Sequence, residues 1–187
     1  GKGFRVLHEL DDQPAVLRQI TKHAAVVRDV DTAAQQIQTA FHELVSGTPR
    51  PVAIEIPADM WAKQAPGTVG AGVRTMPSID LDAVDAAAAK LRAAVKPLIW
   101  VGTGAQDAAH SVRRLAELLQ SPVSTRRMGH GVMDETDVLF APMGLAHRMW
   151  ADVDLVLGIG SRIEFPMLQW GTEGLDLIQI NTDVDEL

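Results

Sequence analysis

The sequence predicts an α/β fold: a parallel sheet with helices on both faces, preceded by a partial α/β unit. Three observations predict it. Short, largely apolar runs, such as residues 153–159 with Asp154 as their one charged residue, have the length of buried parallel strands rather than of helices. They alternate with stretches whose apolar residues recur at helical spacing. Gly- and Pro-rich turns separate the two kinds of segment, and a longer stretch of this composition divides the chain at residues 62–78.

The elements follow in order. Arg18-Gln-Ile-Thr-Lys22 comes first, with a helix-like stretch behind it. The clearest helix spans 31–46, with Asp31 as N-cap. Ala33, Ala34, Ile37, Ala40, Phe41, Leu44 and Val45 form its apolar face, and Gly47 stands at the position after the C-cap. Residues 48–51 are a turn, and 52–56 a strand closed by Pro57, expected to lack its full set of partner strands. Leu81, Val84, Ala88, Leu91 and Val95 mark a second helix, ended by Lys96-Pro97. A strand at 98–101 runs into a glycine turn at 102–105. Val112, Leu115, Ala116 and Leu119 line a third helix. Strands follow at 122–125, 153–159 and 177–180. The βαβ rhythm is Rossmann-like, with right-handed crossovers as the default. The expected domains are 1–60, a linker at 61–78, and 79–187, with both ends of the chain cutting through α/β units.

Composition bounds the function. Hydrophobic residues make up 47% and charged residues 22%, enough for a folded core. Aromatics are 4% with no Tyr, so Ala and Val favour close helix–sheet packing. A net charge of −7, from 17 basic and 24 acidic residues, argues against a nucleic-acid surface. Arg113-Arg114 and Arg126-Arg127 are only pairs, and a solvated helix face accounts for the first. With no Cys there is no thiol chemistry. No apolar run approaches the roughly 18 residues of a membrane span, and the N-terminus has no signal-peptide core. The expectation is a soluble, cytoplasmic chain that binds neither nucleic acid nor membrane.

Three strand ends carry candidate chemistry. Gly102-Thr-Gly104-Ala105 lies between a strand and a helix, where free N–H groups suit a phosphate. The third glycine of a dinucleotide fingerprint is missing: Asp107 stands there, and its carboxylate repels a pyrophosphate. No Asp or Glu ends the next strand; Ser124-Thr125-Arg126 stands instead. A glycine turn that only permits packing is an equal reading. Gly160-Ser-Arg162 follows an apolar strand, and a guanidinium just past a strand end suits a phosphate or ribose; an ion pair with Glu164 is the competing role. Asp183 faces a ribose or adenine donor, or caps the next helix. His23, His42, His110, His130 and His147 show no ligand spacing, so no metal site is expected. No G-x-S-x-G elbow supports serine hydrolysis.

These segments resemble, in order and spacing, the thiamine diphosphate enzymes of the acetolactate synthase, decarboxylase and benzaldehyde lyase type. Gly102–Ala105 resembles that family's G-G-G-A turn, and Thr125 through Gly131 its T-T-x-x-G-K-G segment. Met143-Gly144 resembles a loop opening the next helix. Gly160-Ser-Arg162 resembles G-x-R, and Ile180-Asn-Thr-Asp183 resembles I-D-x-D. The resemblance implies the end of a pyrimidine-binding domain plus most of a central, non-catalytic domain. It implies Gly102, Gly104, Thr125, Gly160, Arg162 and Asp183 as cofactor-binding positions, for FAD or ADP where the central groove is occupied. His8-Glu9 stands where many relatives have Gln-Glu in an active-site-facing loop. The family's activating Glu and its G-D-G…N segment, which hold thiamine diphosphate and Mg²⁺, are not found in this sequence. The resemblance therefore implies a piece of an enzyme acting on 2-oxo acids or related carbonyl compounds. Its partners are the remaining domains of its own chain, in a homodimer or homotetramer. The alternative is a stand-alone nucleotide-binding module.

Overall fold

The computed structural model of the chain describes residues 10–186 apart from 65, 66, 68, 69, 71 and 72. His8 and Glu9 lie outside the described residues. The chain divides into two compact units between Pro77 and Ser78. Among the described residues no helix is long and apolar enough to cross a membrane.

The first unit begins with helix α1 (Gln13–Ile20). Asp12 caps it, accepting from the Ala15 N–H at 2.9 Å, and Pro14 sits in the first turn, where its missing N–H is harmless. Strand β1 (His23–Val26), helix α2 (Ala33–Val45) and strand β2 (Val52–Glu55) follow. The two strands pair in parallel with His23 opposite Val52, and β2 has no other partner among the described residues. Asp31 is not the N-cap. A 3-10 turn (Val30–Thr32) precedes α2, and Asp29 caps that turn by accepting from the Asp31 N–H. Gly47 does take the left-handed conformation after the C-cap, with φ +55°.

The second unit holds helix α3 (Leu81–Ala93), strand β3 (Pro97–Val101), helix α4 (Ala109–Leu119) and strand β4 (Val123–Thr125). Helix α5 (Met143–Met149), strand β5 (Leu155–Ile159), helix α6 (Glu164–Trp170) and strand β6 (Asp176–Ile180) complete it. The sheet order is β4-β3-β5-β6, and every pairing is parallel. Side chains alternate along a strand, so each strand feeds two cores. Ile99, Val101, Leu155, Leu157 and Ile159 pack with Val112 and Ala116 of α4. Leu98, Trp100 and Val156 pack with Ala146 of α5, Trp150 and Ile163. Helices therefore cover both faces.

Several boundaries move from their expected places. Helix α3 stops at Ala93, leaving Val95 exposed, and β5 opens at Leu155 rather than 153. The glycine turn belongs to a 3-10 segment (Thr103–Ala108). Helix α6 has no apolar periodicity long enough to announce it. Its N-cap, Ile163, is left-handed at φ +54°, an uncommon conformation for a β-branched residue. Gly158 explains the tolerance. A Cβ there would lie 2.6 Å from Ile163 Cγ1, so the missing side chain makes room for a fully buried Ile163.

One carboxylate ties the sheet's two central strands together at their entry. Asp154 accepts from the backbone N–H groups of Val95 at 2.6 Å and Lys96 at 2.9 Å. Led by the Val95 hydrogen bond, these contacts hold its pKa below the ordinary 3.8, against a smaller opposing effect of burial. A lowered native pKa stabilises the fold above the unfolded value, and that contribution disappears as pH falls through the native value. Asp154→Asn is therefore expected to lower stability at neutral pH. It should also flatten the loss of stability on acidification through the carboxylate range, as read by urea unfolding at stepped pH.

At the other end of these strands three glycines meet. Gly104 N–H donates to Gly160 O at 3.1 Å, and Gly102 N–H to Ile159 O at 3.0 Å. A Cβ on Gly104 would lie 2.8 Å from Gly160 Cα, and one on Gly160 would overlap the Gly104 backbone. Gly160 is also left-handed, at φ +58°. Gly160→Ala is expected to cost about 2–3 kcal/mol, measured by denaturant unfolding. Gly144 has nothing within 4 Å of its Cβ position and lies in α5. Gly144→Ala is the control, expected to be neutral or stabilising by up to ~1 kcal/mol.

Candidate functional site

All four strands are parallel, so their carboxyl ends share one edge of the sheet. Ligands of open α/β sheets sit outside that edge, where the strand order reverses. Here the reversal falls between β3 and β5, because β4 lies on one side of β3 and β5 on the other. That crevice is closed. Gly102 and Gly104 after β3 press on Gly160 after β5, and the Gly104 N–H is bonded to a backbone carbonyl instead of pointing outward.

The open space lies one strand away, past β4. A groove of about 470 Å³ is lined by Thr125, Arg126, Arg127, His130, Phe140 and Met143. Thr125 ends β4 and is buried, with its Oγ1 3.4 Å from His130 Nδ1. The same nitrogen lies 3.0 Å from Glu135 Oε1, which also borders the groove. Arg127 holds a left-handed conformation at φ +49° in the 3-10 turn Arg127–Gly129. That turn is drawn against the sheet: a Cβ on Gly129 would lie 3.1 Å from the Val101 carbonyl carbon. The side-chain amide of Gln106 bonds the carbonyls of Met128 and His130, fastening the turn to the 3-10 segment after β3.

Arg126 reaches a different partner. Its guanidinium lies 3.7 Å from the centre of the Phe165 ring. Phe165 meets Trp170 edge-on, Trp170 stacks on His147 at 4.8 Å, and Trp100 and Trp150 meet Trp170 edge-on. Trp150 Nε1 donates to Gly171 O at 2.9 Å, satisfying the polar atom that a buried Trp must place. The aromatic residues of this sequence are few, yet five rings including His147 gather on one face of the sheet.

The six sequence-derived positions thus occupy three places. Gly102, Gly104 and Gly160 form the closed contact. Thr125 lines the groove. Arg162 and Asp183 lie past β5 and β6. Arg162 is paired with Glu164 at 3.6 Å and Glu186 at 3.1 Å, so it ties the end of β5 to the segment after β6. Asp183 Oδ1 accepts from the Asp185 N–H at the start of a 3-10 turn (Val184–Glu186), and Asn181 Oδ1 accepts from the Asp183 N–H. The segment Thr125 through Gly131 and Met143, singled out by resemblance, supply much of the groove lining, whereas Glu135 and Phe140 were not foreseen there. Among the described residues no group of three or more His, Asp or Glu side chains is gathered to hold a metal.

Residues 84–187 match the family described as thiamine pyrophosphate enzyme, central domain. The chain belongs to the thiamine pyrophosphate enzymes. As a central domain of this family it is 41% identical over 160 residues to an acetolactate synthase large subunit of Parasynechococcus marenigrum, covering 78% of this chain. It is 33% identical over 170 residues to a Pseudomonas aeruginosa protein named as a probable 2-ketoarginine decarboxylase, covering 87% of this chain. The chain spans 26% and 30% of the lengths of those two relatives. A thiamine diphosphate-dependent 4-hydroxybenzoylformate decarboxylase of Rhodococcus jostii shares the fold over 97% of this chain and 37% of its own. The TM-score is 0.80 at 20% identity. The central-domain match begins within α3, so the sheet β4-β3-β5-β6 and its closed glycine contact all fall inside it.

Proposed function

We propose that this chain is the central domain, with the end of a preceding pyrimidine-binding domain, of a thiamine diphosphate-dependent enzyme acting on 2-oxo acids or related carbonyl compounds. The observation that carries this reading is the family match over residues 84–187, which takes in the whole four-stranded sheet, together with the parallel β1–β2 pair ahead of it. Residues 1–60 belong to the pyrimidine-binding domain in this reading, 61–78 to the linker, and 79–187 to the central domain. The chain's own residues do not fit thiamine diphosphate. No G-D-G segment occurs in the sequence, and the crevice at the strand-order reversal is filled by glycine backbone. Its role is to position catalytic domains rather than to hold the cofactor. Homodimeric or homotetrameric assembly and a cytoplasmic setting complete the reading, and the net charge of −7 supports the absence of a nucleic-acid partner.

Two measurements test this. Calorimetric titration of the 187-residue chain with thiamine diphosphate and Mg²⁺ is expected to show no saturable binding; micromolar binding overturns the assignment of roles. The gene is expected to read on into further domains of the same enzyme, and a frame closed at both ends of this sequence favours a stand-alone module.

A second reading is carried by the groove past β4. Two guanidinium groups border it, and neither Arg126 nor Arg127 has an ion-pair partner among the described residues. An adenine nucleotide or FAD lying along the strand ends would place its phosphates near Thr125, with Gly102, Gly104 and Gly160 as a backbone wall. Arg162 and Asp183 would then serve the adenosine end. Glu135 in the groove opposes an anion, and Arg162 is already paired with two carboxylates. Equilibrium dialysis with ADP and FAD is the test. Loss of one charge-assisted contact is expected to weaken binding by about tenfold to a hundredfold. Such an effect in Arg127→Ala and Arg162→Ala supports this path. No binding by the wild type leaves the domain purely structural.

A further inference from the structure

Residues 61–78 have the composition of a free linker, yet four of the described residues in this stretch lie against helix α2 and its C-cap. Four positions one turn apart along that helix and its C-cap each meet one residue of the stretch. A Cβ on Gly67 would touch Ala34 Cβ at 4.0 Å, and one on Gly70 would crowd Gln38 Nε2 at 2.9 Å. His42 Nδ1 lies 2.6 Å from Val73 O. The Thr75 N–H donates to Ser46 Oγ at 3.2 Å. A carbonyl has no proton to give, so His42 must carry its hydrogen on Nδ1. Ser46 is itself anchored, because its carbonyl accepts from Lys22 Nζ at 2.6 Å.

We infer that Val73 and Thr75, with Gly67 and Gly70 ahead of them, clasp α2, and that His42 and Ser46 are the positioning residues that hold them at its final turn. The free tether is then short. Beyond Thr75 only residues 76–79 precede Asp80, which already caps α3 through the Ala83 N–H. That tether extends to at most about 18 Å, whereas a free 61–78 segment would reach about 60 Å. The clasp is thus a conformational device that converts a long flexible connection into a short one, and its release lengthens the connection without altering either folded unit.

Amide hydrogen exchange and limited proteolysis of the full chain test this. In the wild type the Thr75 amide is expected to exchange about tenfold more slowly than an unbonded loop amide. Ser46→Ala should remove that protection directly. His42→Ala removes the bond to the Val73 carbonyl and the 3.5 Å approach of the ring to Ser46 Oγ, and is expected to accelerate exchange at Thr75 as well. Trypsin cleavage after Arg74 should quicken in both variants while cleavage after Lys63 holds its rate. An unprotected Thr75 in the wild type overturns the inference. So does a His42→Ala variant, folded by circular dichroism, in which Thr75 exchange and Arg74 cleavage are unchanged.

Discussion

The hydrogen bond from Gly104 to the carbonyl of Gly160 is the contact on which the second unit depends. Strands β3 and β5 are the two central strands, and each contributes side chains to both cores. At their amino ends Asp154 clamps them through two backbone N–H groups. At their carboxyl ends the following loops touch backbone to backbone, which requires Gly102, Gly104 and Gly160 together. The same closeness determines where a ligand has room. Peptide groups fill the site where α/β sheets usually open, and the accessible groove lies past β4 instead.

The face holding Trp100 is organised differently from its opposite. On the Ile99 side, small and branched aliphatic residues let α4 lie close to the sheet, with Ala116 fully buried. On the Trp100 side three indoles interlock edge-to-face around Trp170, with Gly158 leaving space for Ile163. Edge-to-face rings add directional preference to area burial. Arg126 extends this cluster to the groove by lying over Phe165, so the groove's wall is coupled to the core by contact rather than by chain connection alone.

Much of the second unit was legible because its central strands β3 and β5 are uninterrupted apolar runs and its helices α3 and α4 carry apolar residues at helical spacing. β1 escaped notice, since His23-Ala-Ala-Val26 is short and weak in contrast. Helix α6 was hidden by Pro166 and by a left-handed Ile163, whose accommodation depends on a glycine in another element. Asp29 and Asp31 are both plausible caps by type, and only the turn geometry distinguishes them. The candidate site was harder. Glycines that admit a phosphate and glycines that admit another backbone look alike in sequence. Which applies depends on residues 160 and 104 meeting across more than fifty positions of chain, and on the N–H of Gly104 being taken. The family resemblance rested on segment order, which survives such ambiguity, whereas residue roles do not.

The distribution of indoles has an optical consequence. Trp100, Trp150 and Trp170 sit together in the second unit, and the remaining Trp61 is 74% exposed in the first. Emission from the clustered indoles arises in an apolar setting, with energy transfer among rings only 5.2–6.5 Å apart. Trp61 emits from water. The blue and red edges of one fluorescence spectrum therefore belong to different units of the chain, so the melting of each is visible without any label.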